Sequence, residues 1–401
     1  MDVTAAVRRA RREVFSYTVP NLPEGARRRL VPEKFAWGRE DELEIAVPGN
    51  GDARVVIAPA NHAAQGYYWA HAASELPGVS VVNLRFLPRS QKVFGPSDFS
   101  VDYRVGVASS RWARRQLRAL SENATHVLLE ASKPLLGGLS GDDLARDVEL
   151  LQSAGLKVGF ISHGSDVRIP SVHSELSPHS PFRGQLSGRN LTLETRARTN
   201  NALLDAAGLP EFVSTPDLLL YRPDARLLPV LAANADLLTQ SSTTLGSRKP
   251  VVLHFPSSQP ALKATGTIDS VLSRLQDEGV IEYRGGRRYA HREIPQAIAG
   301  ADVVVNQMGL GPYGVAETEA MLAGKLVISD VWDCVRSQVF RETGRSLPIL
   351  QADPGTLENV VREVAAQPEK YAELAADGPS FVRSLHTGER VRDSLASFLL
   401  A

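Results

Sequence analysis

A glycine-rich turn followed by closely spaced glutamates lies in the second half of the chain, at residues 309–319. The apolar run Asp302–Val305 before it is typical of a buried strand. Val315–Ala323 after it has the pattern of a helix, and Gly324 is placed to end that helix. Free N–H groups and the positive end of the helix dipole would meet at the turn, so the pattern predicts a site that binds an anion.

The two glutamates of this helix differ in their predicted surroundings. On a helical wheel Val315, Thr318 and Leu322 share one face, with Glu319 beside that face and Glu317 nearly opposite. We expect Glu317 to be a solvated surface residue and Glu319 to point inward, where a carboxylate needs hydrogen-bond donors. Two adjacent sugar hydroxyls would supply such donors. The alternative is an ordinary crossover helix in which a backbone group or an arginine binds Glu319.

The run Asp302–Val327, DVVVNQMGLGPYGVAETEAMLAGKLV, resembles the donor-site signature of retaining, family-4-like glycosyltransferases with the GT-B fold. The resemblance implies that Glu319 holds the ribose of a nucleotide. It places further donor contacts at Gly311, Tyr313, Gly314 and Val315. Many members carry an earlier glutamate where this chain has Gly311, and an acidic residue where it has Asn306. These departures favour an alternative in which the protein binds a ligand without turning it over.

Two serines and a lysine follow the first predicted strand of the same half, in His254–Lys263, HFPSSQPALK. Hydroxyl donors followed by a point cation can hold a diphosphate, so Ser257, Ser258 and Lys263 are predicted donor contacts. Similar enzymes have Lys-Gly-Ser/Thr after such a turn, whereas this chain has Ala264 at the glycine position. The alternative is an exposed lysine without a ligand.

His163 follows the end of a predicted strand in Ile161–Pro170, ISHGSDVRIP, where its side chain would reach the edge of a cleft. Enzymes of the resembled family often carry His-Gly-x-Asp here, in contact with the transferred sugar or a phosphate. The resemblance therefore makes His163 the candidate catalytic residue. Asp166 and Arg168 are expected to support it by orienting the loop, or else to pair with each other.

A third loop, Pro59–Tyr67, joins the first clear strand to a helix. In the resembled fold this turn faces the acceptor and the donor phosphates. The candidate contacts here are Asn61, His62, Gln65 and Gly66. A role for Asn61 in capping the helix is an equally good interpretation.

Composition narrows the function further. The 401 residues include 45 Lys or Arg and 45 Asp or Glu, so no net field favours nucleic acid. The one cysteine, Cys334, allows no disulfide within the chain and indicates a reducing compartment. Met1–Phe15 lacks the apolar segment of a secretory signal, so we expect a cytoplasmic protein. No spacing of His, Cys or acidic residues predicts a metal site, and no cofactor is expected besides the donor substrate.

Basic residues on two predicted helices raise the question of membrane contact. Thr4–Val14 and Ser110–Ser121 each carry four arginines, and an amphipathic helix of that kind can touch anionic lipid. A solvated surface is the alternative. We therefore expect at most a weak peripheral contact.

Short apolar runs alternate with helical patterns along most of the chain, which indicates two doubly wound α/β domains of the Rossmann type. The predicted strands are Arg54–Ala58, Val79–Leu84, His126–Glu130, Lys157–Ser162, Phe212–Thr215, Pro250–Phe255, Val280–Tyr283, Asp302–Val305, Leu326–Ser329 and Pro348–Leu350. The predicted helices are Tyr67–Leu76, Ser110–Ser121, Asp142–Ala154, Asn190–Ala207, Thr267–Asp277, Arg292–Ala299, Val315–Ala323, Thr356–Ala366 and Ser380–Leu400.

These elements predict an acceptor domain at residues 1–234, including an extension at 1–44, and a nucleotide-sugar domain at residues 235–380. The Ser- and Thr-rich stretch Asn234–Arg248 would link them. The resembled fold implies two domains facing across a cleft, with a last helix at residues 381–401 that crosses back to the first domain.

The resemblance, together with these features, implies a hexosyltransferase-type enzyme that moves a sugar from UDP or GDP to an unknown acceptor. The resemblance implies retention at the sugar carbon and a role in bacterial glycan biosynthesis, and the absence of a metal-ligand pattern predicts that no metal is needed. The acceptor would be a glycan, a lipid-linked sugar or a small molecule. A binding or scaffold subunit without activity is one alternative, and a sugar-nucleotide 2-epimerase is another.

Overall fold

A computed structural model describes residues 25, 26, 29, 37–87, 95–233, 235–238, 245, 246, 248–255, 260–286 and 289–400. The predicted helix Thr4–Val14, the predicted contacts Ser257 and Ser258, and most of the predicted linker lie outside these residues. None of the helices in the described part is both long and apolar enough to cross a membrane.

Twelve strands in the described residues form two parallel sheets. They are β1 Ala53–Ala58, β2 Val79–Leu87, β3 Phe99–Asp102, β4 His126–Glu130, β5 Lys157–Ser162, β6 Glu211–Val213, β7 Arg226–Leu227, β8 Val251–His254, β9 Glu282–Arg284, β10 Val303–Val305, β11 Leu326–Ser329 and β12 Leu350–Gln351. The first sheet has the order β3-β2-β1-β4-β5-β6-β7 and the second the order β12-β11-β10-β8-β9. This confirms the predicted α/β class with two Rossmann-like sheets.

The helices that connect the strands are α1 Gln65–Ala73, α2 Tyr103–Ala108, α3 Ser110–Asn123, α4 Gly137–Ser140, α5 Leu144–Ser153, α6 Pro170–Leu176, α7 Gly188–Ala207, α8 Ala235–Leu238, α9 Thr265–Asp277, α10 Ile294–Ala299, α11 Val315–Leu322, α12 Asp333–Thr343, α13 Leu357–Ala366, α14 Glu369–Leu385 and α15 Gly388–Leu399. Short 3-10 helices occur at Glu40–Glu42, His62–Ala64, Pro216–Leu220 and His291–Glu293.

The central strands are continuous apolar runs because both faces of a parallel sheet are covered. In the second sheet, one face packs on a cluster that contains Val304, Met321 and Phe381. The other face packs on a cluster that contains Val303 and Leu272. Both clusters are buried, so the sheet can carry polar groups only at its edges and strand ends.

Parallel register brings the carboxyl ends of three strands of the second sheet to one edge. Val303 in β10 pairs with Val252 in β8 on one side and with Leu326 in β11 on the other. The loops that leave this edge carry most of the predicted donor residues, as expected for ligand sites in open α/β sheets.

The chain divides into two compact units, residues 1–160 with Leu400, and residues 161–399. The boundary falls within β5, so β6, β7 and the whole second sheet belong to the second unit. The boundaries predicted near residues 234 and 380 stay predictions.

The C-terminal helical stretch consists of two helices, α14 and α15, with His386 and Thr387 between them. The second of these helices packs on the last strands of the first sheet. Ser394 Oγ donates to the carbonyl of Leu227 at 2.8 Å, and the Phe398 ring lies 6.1 Å from the Phe212 ring. The last helix therefore contacts β6 and β7 of the first sheet, which lie in the same compact unit as this helix, and its predicted return to the first domain stays a prediction.

Candidate functional site

The turn before α11 needs glycine at Gly309 for two reasons. Its φ is +92°, and a Cβ atom there would lie 2.4 Å from the carbonyl oxygen of His179. The Gly309 N–H donates to Asp330 Oδ2 at 3.0 Å, which fixes the turn against the end of β11. The glycine-rich turn is therefore closely packed rather than an open loop.

Gly311 lies against an indole ring. Its φ is +85°, and a Cβ atom would lie 2.1 Å from Cδ2 of Trp332. The Trp332 N–H donates to the Gly311 carbonyl at 3.0 Å, so backbone and ring both hold the pair together. Since Trp332 fills the space that a side chain would need, no larger residue fits at position 311 without moving this ring.

Gly314 is the N-cap residue of helix α11, and the Glu317 side chain caps the helix. Glu317 Oε2 accepts from the Gly314 N–H at 3.0 Å, and its Oε1 accepts from Ser329 Oγ at 3.3 Å. Glu317 is 1% exposed, so the prediction of a solvated Glu317 is wrong. The wheel failed because α11 is buried on every side from Glu317 to Leu322, and a first-turn glutamate can reach back to the N-cap N–H.

Unused N–H donors remain at this helix terminus. The N–H groups of Val315 and Ala316 have no acceptor among the described residues, as expected for the first turn of a helix. Both residues are half-buried. Some N–H donors of the predicted anion site are therefore available to a ligand, whereas the Gly314 N–H already donates to Glu317.

Glu319 points inward, as predicted. It is 6% exposed, and its Oε1 accepts from the Ala233 N–H at 3.1 Å, the one hydrogen bond it receives from the described residues. Burial raises the pKa of this carboxyl to about 7, and the Ala233 hydrogen bond opposes that rise. The backbone partner agrees with the alternative interpretation. The ribose contact stays a prediction, and the group has capacity for further donors.

Lys263 lies beside the glycine-rich turn. Its carbonyl accepts from the Met308 N–H at 3.3 Å, and its side chain is half-buried. Ala264, which follows it, has φ +53° and ψ +29°, the left-handed conformation that glycine adopts most easily. The turn therefore has a glycine-like conformation although the glycine is absent.

The side chain of Tyr313 is buried and serves the fold. Its hydroxyl lies 3.0 Å from His386 Nε2, and His386 Nδ1 donates to the Val230 carbonyl at 2.8 Å. Burial lowers the pKa of His386 to about 4, so this histidine is neutral. With this side chain occupied, a donor contact at Tyr313 would have to come from its backbone.

Asp166 shapes the loop that carries His163. Its carboxylate accepts from the N–H of His163 at 3.1 Å and from the N–H of Gly164 at 2.6 Å. This supports the prediction that Asp166 orients the loop. His163 itself is half-buried after the end of β5.

Arg168 pairs with an aspartate that the sequence analysis did not single out. Its Nη2 donates to Asp217 Oδ2 at 2.5 Å, and Thr215 Oγ1 donates to the other oxygen at 2.6 Å. The interpretation in which Arg168 pairs with Asp166 is therefore wrong. The physical reason is that both Asp166 oxygens are turned toward the backbone N–H groups of the loop.

His173 joins the His163 loop region to the glycine-rich turn. It lies on α6, and its Nε2 donates to the Leu310 carbonyl at 3.1 Å while Nδ1 lies 2.7 Å from Ser180 Oγ. Its ring lies 4.6 Å from the Trp332 ring, and the two ring planes are tilted by 50°. Burial, followed by the charge of Arg168, lowers the pKa of His173 to about 4. A neutral His173 is thus a fixed structural link between the ends of two sheets.

In the first unit, the residues of the third loop mostly build the loop itself. Asn61 Oδ1 accepts from the Tyr67 N–H at 3.1 Å, and its Nδ2 donates to the Pro96 carbonyl at 2.9 Å. The capping interpretation of Asn61 fits these contacts. Gln65 is buried, with Nε2 3.4 Å from the Ala63 carbonyl, whereas His62 is exposed.

Gly66 is needed where this loop meets the strand ends. A Cβ atom there would lie 2.6 Å from Asn83 Nδ2 and 3.1 Å from the Glu130 carboxylate. Glu130 Oε2 also accepts from the Asn61 N–H at 2.9 Å. A buried carboxylate at the end of β4 therefore holds the loop, and this role was not anticipated from the sequence.

Among the described residues, no group of three or more His, Cys, Asp and Glu side chains is arranged to hold a metal ion. No family model matches the sequence, and a search of curated proteins finds no significant match.

Solved structures identify the fold. Sucrose-phosphate synthase from Thermosynechococcus elongatus matches with a TM-score of 0.54 and 16% identity, over 86% of this chain and 97% of that chain. Anabaena Alr3699/HepE in complex with UDP and glucose matches with a TM-score of 0.51 and 13% identity, over 86% of this chain and 99% of that chain. This chain has the GT-B fold. A UDP-N-acetylglucosamine 2-epimerase matches at a TM-score of 0.45, which carries no argument for an epimerase.

The GT-B fold explains why the unanticipated residues lie where they do. Asp217 and Trp332 follow the ends of β6 and β11, and Glu130 is the last residue of β4. Polar or aromatic residues at the carboxyl ends of parallel strands are the sequence signal that could have found them. His173 has no comparable signal, because its partner Leu310 is far away in the sequence.

Proposed function

We propose that the protein is a glycosyltransferase that binds a nucleoside-diphosphate sugar on its second sheet, with UDP as the nucleotide. The observation that carries the proposal is the hydrogen bond between the Lys263 carbonyl and the Met308 N–H, which puts a lysine beside the turn that opens α11. The GT-B fold and a fold neighbour that was solved with UDP and glucose support the choice of ligand.

In this proposal the diphosphate binds at the first turn of α11. The N–H groups of Val315 and Ala316 and the ammonium group of Lys263 would donate to its oxygens. When the sugar leaves, the nucleoside diphosphate gains negative charge, and these fixed donors would stabilise that charge electrostatically. No metal ion is required for this arrangement. Retention at the sugar carbon belongs to the same proposal and rests on the resemblance of the sequence.

Glu319 is proposed to bind the ribose. Its carboxyl group is fixed at Oε1 by the Ala233 N–H and can accept further hydrogen bonds from two adjacent hydroxyls. Those hydroxyls would favour the ionised form, whereas burial favours the neutral form. Nucleotide binding should therefore lower the pKa of Glu319.

His163 is proposed to contact the transferred sugar or the adjacent phosphate, with its loop held by Asp166. The acceptor is proposed to bind at the first unit, where His62 is the exposed member of the third loop. A weak contact with anionic lipid is proposed for α3, because Arg111, Arg114 and Arg118 are exposed on it.

A second candidate function is binding without turnover, and two observations favour it. Trp332 occupies the space in front of Gly311 where many related enzymes have a glutamate. Glu317 takes the Gly314 N–H and brings a buried carboxyl group close to the diphosphate site. Both features reduce the polar contacts available to a transferred sugar.

Calorimetric titration with UDP and UDP-glucose tests the binding step. We expect Lys263→Ala to weaken UDP binding about tenfold, since it removes a charge-assisted contact. Lys249→Ala is the matched control, because Lys249 is exposed and precedes β8, whereas Lys263 lies in the segment that follows this strand. Equal affinity in both variants, or binding that chelator abolishes and magnesium restores, would contradict the proposed site.

Release of UDP from UDP-glucose in the presence of cell-derived acceptor separates the two candidate functions. An enzyme should release UDP in an acceptor-dependent way, and His163→Ala should slow the release. Tight UDP-glucose binding with no release under any acceptor preparation would favour the binding subunit.

A further inference from the structure

A cavity lies in the unit formed by residues 161–399, and it shares no lining residue with the proposed donor site. Its volume is about 570 Å³, which is within the size range of sites for small organic ligands, about 300–1,000 Å³. Its walls come from the segment that contains β7, from the second half of α12 and from the junction between α14 and α15.

Three arginines line this cavity: Arg226 in β7, Arg341 on α12 and Arg390 on α15. Within the described part of the chain, none of these guanidinium groups has a carboxylate partner at ion-pair distance. Arginines elsewhere in the same unit do pair, such as Arg345 with Asp377. Three guanidinium groups without an ion-pair partner therefore surround one cavity, two of them exposed and that of Arg390 half-buried.

Neutral groups hold the three arginines in place. Arg341 Nε donates to Gln338 Oε1 at 3.1 Å, and Arg226 donates to Ser397 Oγ. Arg390 Nε donates to the Ser384 carbonyl at 3.2 Å. These contacts orient each side chain but leave its charge unneutralised and leave other N–H donors available, because a guanidinium group has five.

Two carboxylates also line the cavity, so its charge is mixed. Glu342 Oε1 accepts from Gln338 Nε2 at 2.9 Å, and Asp393 is exposed on α15. Three arginines against two carboxylates leave an excess of one positive charge. A ligand with one compact anionic group fits this balance better than an extended polyanion does.

The other lining residues include polar Gln338 and Ser394 and a group of apolar side chains. Leu219, Leu227 and Leu385 line the cavity together with Pro229. Contact with this surface would favour a ligand whose body is apolar, since burial of apolar area is favourable. Arginine is the side chain best suited to a phosphate head group, because its planar fork matches phosphate oxygens.

We propose that this cavity binds an organic phosphate monoester, with the phosphate on Arg226, Arg341 and Arg390 and the organic part on the leucine wall. The ligand would contact both α12, which follows strand β11 of the second sheet, and β7, which belongs to the first sheet. The proposal is independent of the donor site, since the two sites have no residue in common.

Binding of phenyl phosphate to the full-length protein tests this inference. Inorganic phosphate and phenol serve as the two half-ligands. We expect phenyl phosphate to bind at least about tenfold more tightly than either half, because only the whole molecule contacts both the arginines and the apolar wall. Equal affinity for phenyl phosphate and inorganic phosphate would overturn the proposed class of ligand.

Variants locate the binding. Arg226→Gln and Arg341→Gln should each weaken phenyl phosphate binding about threefold to tenfold, a modest loss because both residues are exposed to solvent. Arg383→Gln is the matched control, since Arg383 is exposed on α14 and does not line the cavity. The same loss in Arg383→Gln, no loss in either cavity variant, or displacement of phenyl phosphate by UDP would overturn the proposal.

Discussion

Replacing Glu319 by glutamine should stabilise the folded protein at neutral and basic pH. The pKa of the carboxyl is raised by burial from 4.5 to about 7 in the folded state. Such a group favours folding in its neutral form. Its contribution is therefore fully present below pH 4.5 and is lost as the pH rises through 7. The loss corresponds to ~3 kcal/mol in the free energy of unfolding, and the side chain is almost fully buried.

Glutamine is always neutral and can still accept the Ala233 N–H, so Glu319→Gln should avoid this loss. We expect the variant to equal the wild type near pH 4.5 and to exceed it by up to ~3 kcal/mol at pH 8. Denaturant unfolding at several pH values measures the difference. The variant must be compared with the wild type at each pH, because His173 and His386 change the stability of both proteins in the opposite direction over this range.

Glu389→Gln is the matched control for this experiment, because Glu389 is exposed on α15. A surface change of this kind should alter stability by less than about 0.5 kcal/mol at either pH. A Glu319→Gln variant that is no more stable than the wild type at pH 8 would refute the reasoning. It would mean that the Glu319 carboxyl is ionised at little cost in the folded protein.

Three further substitutions follow from local structure. Ala264→Gly should stabilise the protein by about 1 kcal/mol, because Ala264 has φ +53°; the same change at Ala119, inside α3, should destabilise it. Glu317→Ala should cost about 1–3 kcal/mol by removing the cap of α11, whereas Glu317→Gln should retain most of that stability; equal loss in both variants would contradict the capping role. His386→Asn should be destabilising at pH 7. Because the pKa of His386 is lowered to about 4 in the folded state, the contribution of the neutral histidine to stability disappears as the pH falls toward 4. The loss of stability in the variant should therefore shrink by up to ~3 kcal/mol over that range. A constant loss across the range in unfolding experiments would contradict the last prediction.

The strand, turn and helix from β10 to α11 could be predicted because each leaves a strong local signal. Buried parallel strands are continuous apolar runs, and the predicted bounds of His126–Glu130, Lys157–Ser162 and Leu326–Ser329 agree with the structure residue for residue. Gly324 follows α11 with φ +68°, as expected for a residue that ends a helix.

Elements with few buried residues were missed. Helix α12 buries only Val335 and Val339, so its sequence shows little helical periodicity. Strands β3 and β7 are short, and they form by pairing with β2 and β6 rather than from a local preference.

The candidate site shows the same division between local and distant causes. Gly309 and Gly311 could be found as turn residues, but their need for glycine also depends on His179 and Trp332, which are distant in the sequence. The burial of Glu317 could not be read from a helical wheel, since a wheel assumes that one face of the helix meets solvent. Tertiary contacts of this kind require the structure.

The most direct test of the proposed donor site is the pH dependence of UDP binding in wild type and Glu319→Gln. If ribose hydroxyls donate to ionised Glu319, a pKa of about 7 means that only about a tenth of the free protein is competent at pH 6, against about nine tenths at pH 8. Wild-type affinity, divided by that of the variant to cancel the titration of UDP itself, should then rise about tenfold from pH 6 to pH 8. A ratio that stays constant with pH, with equal affinity in the two proteins, would show that Glu319 does not bind the nucleotide.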